Sequence, residues 1–151
     1  RLKATLEKLQ SPQTEDTAQL DATTWWQRLQ LRYAHIPLAW QGTAEPASVV
    51  PESLFDSVAE NLLQNALAKR LREPGLVIGV TFVAGELTVS DTGSAIPSRL
   101  ADALMVEPVS SEDGLGIGLY QAARLAESQG YRLRLTENRT GRVVFTLSPR
   151  S

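Results

Sequence analysis

Three alternating glycines run directly into an apolar helical pattern in the last third of the chain. The run is Gly114-Leu115-Gly116-Ile117-Gly118-Leu119, and the helical pattern continues to Gln129, before Gly130. Glycines inside a helix lower its stability, so three of them in alternation call for a reason. Backbone N–H groups at a helix start stabilise phosphate oxygens, and glycines let a ligand approach closely. The segment predicts a phosphate site, and the alternative is a flexible hinge that feeds a helix.

The glycine run matches neither of two common nucleotide motifs. A dinucleotide fingerprint needs a third glycine where this chain has Leu119, and it should directly follow a strand. A Walker loop would end in Gly-Lys-Ser or Gly-Lys-Thr, which this run does not. A phosphate site here would therefore be of another kind.

A second segment, Asp91-Thr92-Gly93-Ser94-Ala95-Ile96-Pro97, follows an apolar strand pattern. A carboxylate at a strand end can accept a hydrogen bond from an exocyclic amino group such as that of adenine. Gly93 would let the backbone approach a flat base closely. The alternative is a plain Asp-Thr-Gly turn after a strand.

The third segment is Glu60-Asn61-Leu62-Leu63-Gln64-Asn65-Ala66. Asn61 and Asn65 are four residues apart, so they lie on the same face of a predicted helix. Their amide oxygens are suitable ligands for Mg²⁺ beside phosphate oxygens and water. The alternative is a solvated polar helix face, because asparagine is mostly exposed in proteins.

Composition excludes several classes of site. The chain has 151 residues, a net charge of -2, no cysteine and one histidine, His35. Disulfides, thiolate metal sites and multi-histidine metal sites are therefore excluded. The charge balance gives no basic field for nucleic acid. We find no bilayer-spanning apolar run and no signal peptide, and we expect no membrane contact by this chain.

The hydrophobic pattern predicts a mixed α+β domain. Helices are predicted near residues 25–34, 52–71, 98–104 and 116–129, and short strands near 36–41 and 49–50. Two hairpins are expected, over 76–90 with a turn at Ala84-Gly85, and over 131–147 with a turn at 138–141. We predict a two-layer sandwich, with helices on one face of a mixed, mostly antiparallel sheet. Residues 1–21 are predicted to be the end of a preceding helix and a linker, and 22–151 the domain.

In this order and spacing, the three segments resemble the ATP-binding core of the histidine-kinase, gyrase and MutL ATPases, most closely that of sensor histidine kinases. Asn61 and Asn65 match the asparagine box of that family. Asp91 and Gly93 match its Asp-x-Gly-x-Gly box. The glycine run matches its Gly-x-Gly-x-Gly box through Gly114, Gly116 and Gly118.

The resemblance implies ATP and Mg²⁺ as cofactors. Asn65 would hold Mg²⁺, and Asn61 would position metal and phosphates as a catalytic residue. Asp91 would bind the adenine amino group. Glu60 is the acidic candidate for orienting or deprotonating the phosphate acceptor. The remaining ATP-binding positions implied are Lys69, Gly93, Ala95, Ile96, Gly114, Leu115, Gly116, Ile117, Gly118 and Leu119.

Some positions depart from the family pattern. Ala95 replaces the second glycine of the Asp-x-Gly-x-Gly box. The family often has lysine three residues after the second asparagine, where this chain has Ala68 followed by Lys69. A threonine near the last strand is replaced around Val143, with Thr146 nearby. The predicted lid, residues 105–113, is short and lacks paired phenylalanines.

The function implied is transfer of the ATP γ-phosphoryl group to a histidine in the parent protein's own dimerisation domain. A response regulator receiver domain would be the next partner, and the parent would be a homodimer. The domain would be cytoplasmic, in a parent that could be an inner-membrane sensor. His35 precedes Ile36-Pro37, which disfavours helix, so we place the phosphoacceptor outside this chain.

Three alternatives stay open at this point. The motif departures fit a degenerate, non-catalytic nucleotide-sensing or interaction module of the same fold. An anti-sigma serine kinase shares the fold, although the leucines at 2, 6 and 9 indicate a preceding helical domain and favour the sensor kinase. A gyrase- or MutL-like ATPase would have a glutamate at position 61, where Asn61 cannot act as a base.

Overall fold

The computed structural model describes residues 18–45, 48–108 and 115–150, except the side chains of 115 and 116. Its strands are β1 (Gln19–Asp21), β2 (Ala39–Gly42), β3 (Val49–Pro51), β4 (Ile78–Val83), β5 (Glu86–Asp91), β6 (Tyr131–Arg139) and β7 (Arg142–Pro149). Five of them form one sheet in the order β2-β4-β5-β7-β6. The β2–β4 pair is parallel and the other pairs are antiparallel. Strands β1 and β3 form a separate antiparallel pair.

The helices are α1 (Ala22–Arg32), α2 (Glu52–Arg72), α3 (Ser98–Ala103) and α4 (Leu115–Ser128). Helices α1, α2 and α4 contribute buried side chains to one hydrophobic cluster with the inward residues of the sheet. This arrangement confirms the predicted α+β class and the mixed, mostly antiparallel sheet. No helix of the described ranges combines the length and apolarity that crossing a bilayer requires.

The core lies between the helices and one face of the sheet. Every second side chain of the central strands is buried on that face. Along β4, Ile78, Val80 and Phe82 are buried, while the residues between them are more exposed. Phe82 meets Phe55 of α2 and Trp25 of α1, with ring centroids 6.1 and 5.6 Å apart. Full burial of a side chain such as Phe55 contributes roughly 1.5–3 kcal/mol, so this aromatic cluster is a major source of stability.

Both predicted hairpins are present. In the β4–β5 turn, Ala84 and Gly85 have φ of 53° and 79°, the left-handed pair that a two-residue turn of type I′ requires. The β6–β7 turn is shorter than the predicted 138–141, because Asn138 and Arg139 still pair with Val143 and Arg142. A register shift between Leu135 and Glu137 accommodates the longer strands.

The structure differs from the sequence prediction at the start of the described chain. Helix α1 begins at Ala22, earlier than predicted, and Asp21 caps it, because the Asp21 Oδ2 accepts a hydrogen bond from the Thr24 backbone N–H at 2.9 Å. The predicted linker is wrong for Gln19–Asp21, which form β1 by pairing with β3. A three-residue strand has no periodic signal, and its pairing partner lies about thirty residues away. The helix predicted over residues 1–10 lies outside the described residues.

Candidate functional site

Asp91 is the last residue of β5 and faces the helical layer. Its side chain is on the same face of β5 as those of Leu87 and Val89, which are buried in the core. Its Oδ1 accepts a hydrogen bond from the Gly93 backbone at 2.8 Å and another from Lys69 Nζ at 3.0 Å. Its Oδ2 accepts none from the residues that the structure describes. One carboxylate oxygen is thus held in place, while the other has no hydrogen bond within the described part of the chain.

Lys69 reaches this carboxylate from the C-terminal part of α2. Its Nζ also donates to the backbone oxygen of Ser94 at 2.5 Å. The side chains of Lys69 and Asp91 are only 13% and 8% exposed. Since Asn61, Asn65 and Lys69 are spaced four apart, helix geometry alone puts the lysine on the asparagine face. The spacing of residues along α2 does not, however, predict the contact between Lys69 and the Asp91 carboxylate.

The residues after Asp91 are tied to the end of α2. The Glu73 carboxylate accepts a hydrogen bond from the Ser94 hydroxyl at 2.6 Å and from the Ser94 backbone at 2.9 Å. These two bonds hold the pKa of Glu73 below its ordinary value of 4.5. A β-carbon on Gly93 would meet Leu76 Cδ1 at 2.7 Å and Glu73 Oε1 at 2.8 Å. A larger residue at this position would therefore have to displace the ends of the Leu76 and Glu73 side chains.

The end of β6 and the turn that follows it also hold the Asp91 loop. The Asn138 side chain accepts a hydrogen bond from the Ile96 backbone N–H at 2.8 Å and donates to the Ile96 carbonyl at 2.9 Å. The Gly141 N–H donates to the Gly93 carbonyl at 2.8 Å. Sequence reasoning missed Asn138 because its partner lies 42 positions away and no local pattern links them.

A cavity of about 270 Å³ opens between α2, the Asp91 loop, α3 and β7. Its polar lining residues come from α2, the turn that follows it and the Asp91 loop, and its apolar ones from the rest of that loop, α3, α4 and β7. The full lining is Asn65, Lys69, Arg72, Glu73, Asp91, Ser94, Ala95, Ile96, Pro97, Leu100, Leu104, Leu119, Val143 and Phe145. Apolar walls with a few polar groups are typical of a site for a flat heterocycle.

The cavity brings together residues from all three motifs. Six of the predicted site residues line it, namely Asn65, Lys69, Asp91, Ala95, Ile96 and Leu119. Gly93 lies beneath it, against the Lys69 stem. Val143 lines the cavity where the family has threonine, whereas Thr146 faces away from the helices and hydrogen-bonds Thr136 at 2.9 Å.

Other predicted residues lie outside the lining of this cavity. Asn61 donates to the Ser57 carbonyl at 2.8 Å, and its amide oxygen contacts Gly118. Glu60 is exposed on α2, near Tyr33, whose pKa is raised first by burial and then by the Glu60 charge. Ile117 is 42% exposed.

The start of α4 is only partly described. Leu115 and Gly116 belong to the helix, and Gly114 lies outside the described residues. Two of the three glycines of the run, Gly116 and Gly118, therefore lie in the first turn of a helix, as the sequence predicts.

The donor set for a metal is sparse. No group of three or more histidine, aspartate or glutamate side chains that could hold an ion occurs in the described ranges. Asn65 is the predicted ligand that lines the cavity. This set fits a cation bound mostly by phosphate oxygens and water, the usual manner of Mg²⁺, rather than a permanently bound metal.

Solved structures with this fold include histidine kinase domains. The catalytic domain of histidine kinase ThkA, in a nucleotide-free form, aligns with a TM-score of 0.67 and 20% identity, over 88% of this chain and 97% of that one. The cytoplasmic segment of histidine kinase QseC aligns with a TM-score of 0.59 and 19% identity, over 98% of this chain and 89% of that one. The ATP-binding domain of PrrB from Mycobacterium tuberculosis aligns with a TM-score of 0.55 and 17% identity, over 90% of this chain and 98% of that one. These likenesses confirm the predicted fold.

The family itself is shown by a sequence model. None of the curated proteins matches the chain. A family model described as histidine kinase-, DNA gyrase B- and HSP90-like ATPase matches residues 51–151, which include the Asp91 loop, α2 and both hairpins. The chain therefore belongs to the family of histidine kinase-, DNA gyrase B- and HSP90-like ATPases.

Proposed function

We propose that this chain is the ATP-binding domain of a two-component sensor histidine kinase, which transfers the γ-phosphoryl group of ATP to a histidine in a separate dimerisation domain. One observation carries the proposal: the Asp91 carboxylate and Asn65 line one cavity of about 270 Å³ together with apolar residues of the Asp91 loop, α3, α4 and β7. Membership in the ATPase family and the fold shared with histidine kinase catalytic domains support it.

The cavity would hold the base of the nucleotide. The amino group of adenine would donate to Asp91 Oδ2, and Ile96, Val143 and Phe145 would cover the ring. The volume suits one heterocycle, so the sugar and phosphates would extend beyond it toward α4. The Gly141 N–H bonds the Gly93 carbonyl and the Asn138 side chain bonds both backbone groups of Ile96, contacts that would hold the Asp91 loop in place around a base.

The triphosphate would lie between the start of α4 and the asparagine face of α2. The backbone N–H groups of the first turn of α4 would bind phosphate oxygens. The Asn65 amide oxygen would hold Mg²⁺, which neutralises phosphate charge during phosphoryl transfer. Asn61 would help to position the metal and phosphates indirectly, because its contact with Gly118 would set how closely α4 approaches α2. Glu60 is exposed, where an acceptor histidine from another domain could approach it.

The acceptor and the next partner would both be outside this chain. His35 lies in a turn after α1 and is exposed, which does not match an acceptor on a helix of a dimerisation bundle. Another solved structure with this fold is that of ThkA in complex with the response regulator TrrA, at 18% identity and a TM-score of 0.65. We propose a receiver domain as partner here too, with a homodimeric parent and a cytoplasmic location for this domain.

The test uses the full-length parent protein. Incubation with labelled ATP and Mg²⁺ should give acid-labile, base-stable phosphohistidine. The Asp91→Asn parent should lose most of this label, while Asp102→Asn, an exposed position on α3, should keep it. A parent that binds ATP and never forms phosphohistidine would contradict the transfer reaction.

The ion pair between Lys69 and Asp91 favours one second candidate, a non-catalytic interaction module. The lysine ammonium supplies a counter-charge to the carboxylate from within the chain, so the cavity would not need a nucleotide to be stable. Affinities for ATP and ADP, with and without Mg²⁺, separate the candidates. Binding of neither nucleotide would support the module.

A further inference from the structure

Arginines surround a small cavity at the open end of the β6–β7 hairpin, away from its turn. The cavity has a volume of about 230 Å³ and is lined by Arg132, Arg134, Ser148, Pro149 and Arg150. We propose that it is an anion site that binds a phosphate group, either free phosphate or that of a small soluble phosphate ester. This inference goes beyond the proposed function, because it concerns a second site.

The cavity lies on the outer face of the sheet. Val143 and Leu147 are buried in the core on the inner face of β7, so Ser148 lies on the opposite face. Arg132 pairs with Ser148 across the two strands, and Arg132 and Arg134 are both exposed. Val143 lines the nucleotide cavity and is five positions from Ser148, roughly 17 Å along an extended strand. The sheet therefore separates the two cavities.

No acidic side chain is paired with the three arginines of this cavity within the part of the chain that the structure describes. Near the turn of the same hairpin, by contrast, Arg139 and Arg142 are paired with Glu137. The chain as a whole has a net charge of -2, so a basic composition does not explain the cluster. Like charges held close together repel one another, and a bound anion would remove that cost.

The Ser148 hydroxyl is a second, independent indication of a ligand. The residue is only 6% exposed and lines the cavity, and its side chain makes no hydrogen bond to any described residue. Buried polar groups are nearly always hydrogen-bonded, so this hydroxyl favours a polar ligand in the cavity. Charge that only protects an edge strand from pairing would be needed on β6 alone, whereas Ser148 belongs to β7, an inner strand.

A phosphate group suits these donors better than a carboxylate does. A guanidinium group is a planar fork of N–H donors that binds two oxygens of a phosphate or a carboxylate at once. One fork satisfies both oxygens of a carboxylate, whereas the additional oxygens of a phosphate can accept from further arginines and from a hydroxyl. Several arginines around one cavity therefore indicate a phosphate.

An NMR titration of this chain with sodium phosphate tests the site, because arginine Nε signals report where the anion binds. We expect saturable shifts at the Arg132 and Arg134 side chains and at the Ser148 amide. Sodium chloride and sodium acetate at equal ionic strength should not produce them. A parallel titration with glycerol phosphate distinguishes the two sources, since the tighter ligand identifies free or esterified phosphate. The readout involves no nucleotide and does not depend on the proposed function.

Matched variants separate a built site from general charge attraction. Arg132→Gln and Arg134→Gln should each weaken phosphate binding by about tenfold, and Ser148→Ala by about threefold. Arg139→Gln makes the same change of charge near the turn, where Glu137 is the partner, and should bind as the wild type does. Equal losses in the Arg132 and Arg139 variants would overturn the site. So would shifts confined to the start of α4, or binding to phosphatidic acid vesicles without any response to phosphate or glycerol phosphate.

Discussion

The side-chain oxygen of Asn61 on α2 lies against Gly118 on α4, in the space that a β-carbon at position 118 would occupy. Asn61 is fixed there because its amide nitrogen donates to the Ser57 carbonyl one turn earlier. A residue of the asparagine box and a residue of the glycine run are therefore packing partners. The contact joins α2 and α4, the helices that contribute Asn65 and Leu119 to the cavity lining.

Gly118→Ala should destabilise the domain by roughly 1–3 kcal/mol through overpacking, despite a gain of about 1 kcal/mol in helix propensity. Urea unfolding measures the change. Gly75→Ala is the matched control, because a β-carbon at that glycine would meet no atom within 4 Å. Combining Gly118→Ala with Asn61→Ala should cost less than the sum of the single changes, whereas simple additivity would rule out the contact.

Asn138→Ala should loosen the loop that follows Asp91. The change removes both hydrogen bonds to Ile96, at about 0.5–1.5 kcal/mol each. Hydrogen exchange at the Ile96 amide should become faster. Thr140→Val serves as the comparison, since its hydroxyl accepts only the longer 3.3 Å bond from Ala95 and should have a smaller effect. Unchanged exchange at Ile96 in the Asn138 variant would show that the loop is held by other contacts.

The Glu73 carboxylate should stabilise the domain above acidic pH. Hydrogen bonds from Ser94 lower its pKa in the folded protein below 4.5, so the unfolded chain binds this proton more tightly. The contribution is therefore present above about pH 4.5 and is lost as pH falls through the folded-state pKa. An NMR titration should place the Glu73 midpoint below 4.5. Ser94→Ala should move it upward, and an unmoved midpoint would contradict the assigned cause.

Asn65→Ala should reduce the part of ATP affinity that depends on Mg²⁺. The variant removes the Asn65 amide group from a residue that lines the cavity, and leaves Asp91 and the apolar lining residues in place. ATP titrations with Mg²⁺ and with EDTA give the metal-dependent part directly. Gln121→Ala, an exposed position on α4, is the control. An equal metal dependence in the Asn65 variant and the wild type would exclude this residue as a ligand.

Local patterns predicted most of the fold. Alternation in β4 and β5, the left-handed turn at Ala84-Gly85 and the apolar face of α2 are encoded within short stretches of sequence. Strand β1 could not be predicted in the same way, because three residues have no period and its partner is distant in sequence. The same limit applies to the Asn138 contacts, which join positions 42 residues apart.

The spacing of the motif residues predicted where they lie in the fold better than it predicted which residues they contact. The asparagine face of α2 and the Asp91 loop do meet at one cavity, as their order indicates. Asn61, however, is directed to Ser57 and Gly118, and Lys69 to Asp91. A period of four gives the face of a helix, but side-chain partners depend on which element packs against that face.

The most direct test of the account is calorimetry of Mg-ATP binding to wild type and Asp91→Asn. The wild type should bind ATP, and the variant should bind at least about tenfold more weakly, because an amide replaces a charged acceptor of the base amino group. Asp102→Asn should bind as the wild type does, and thermal unfolding should confirm that all three proteins are folded. Absence of ATP binding by the wild type, or equal affinity in the folded Asp91 variant, would contradict the assignment of this cavity as the base site.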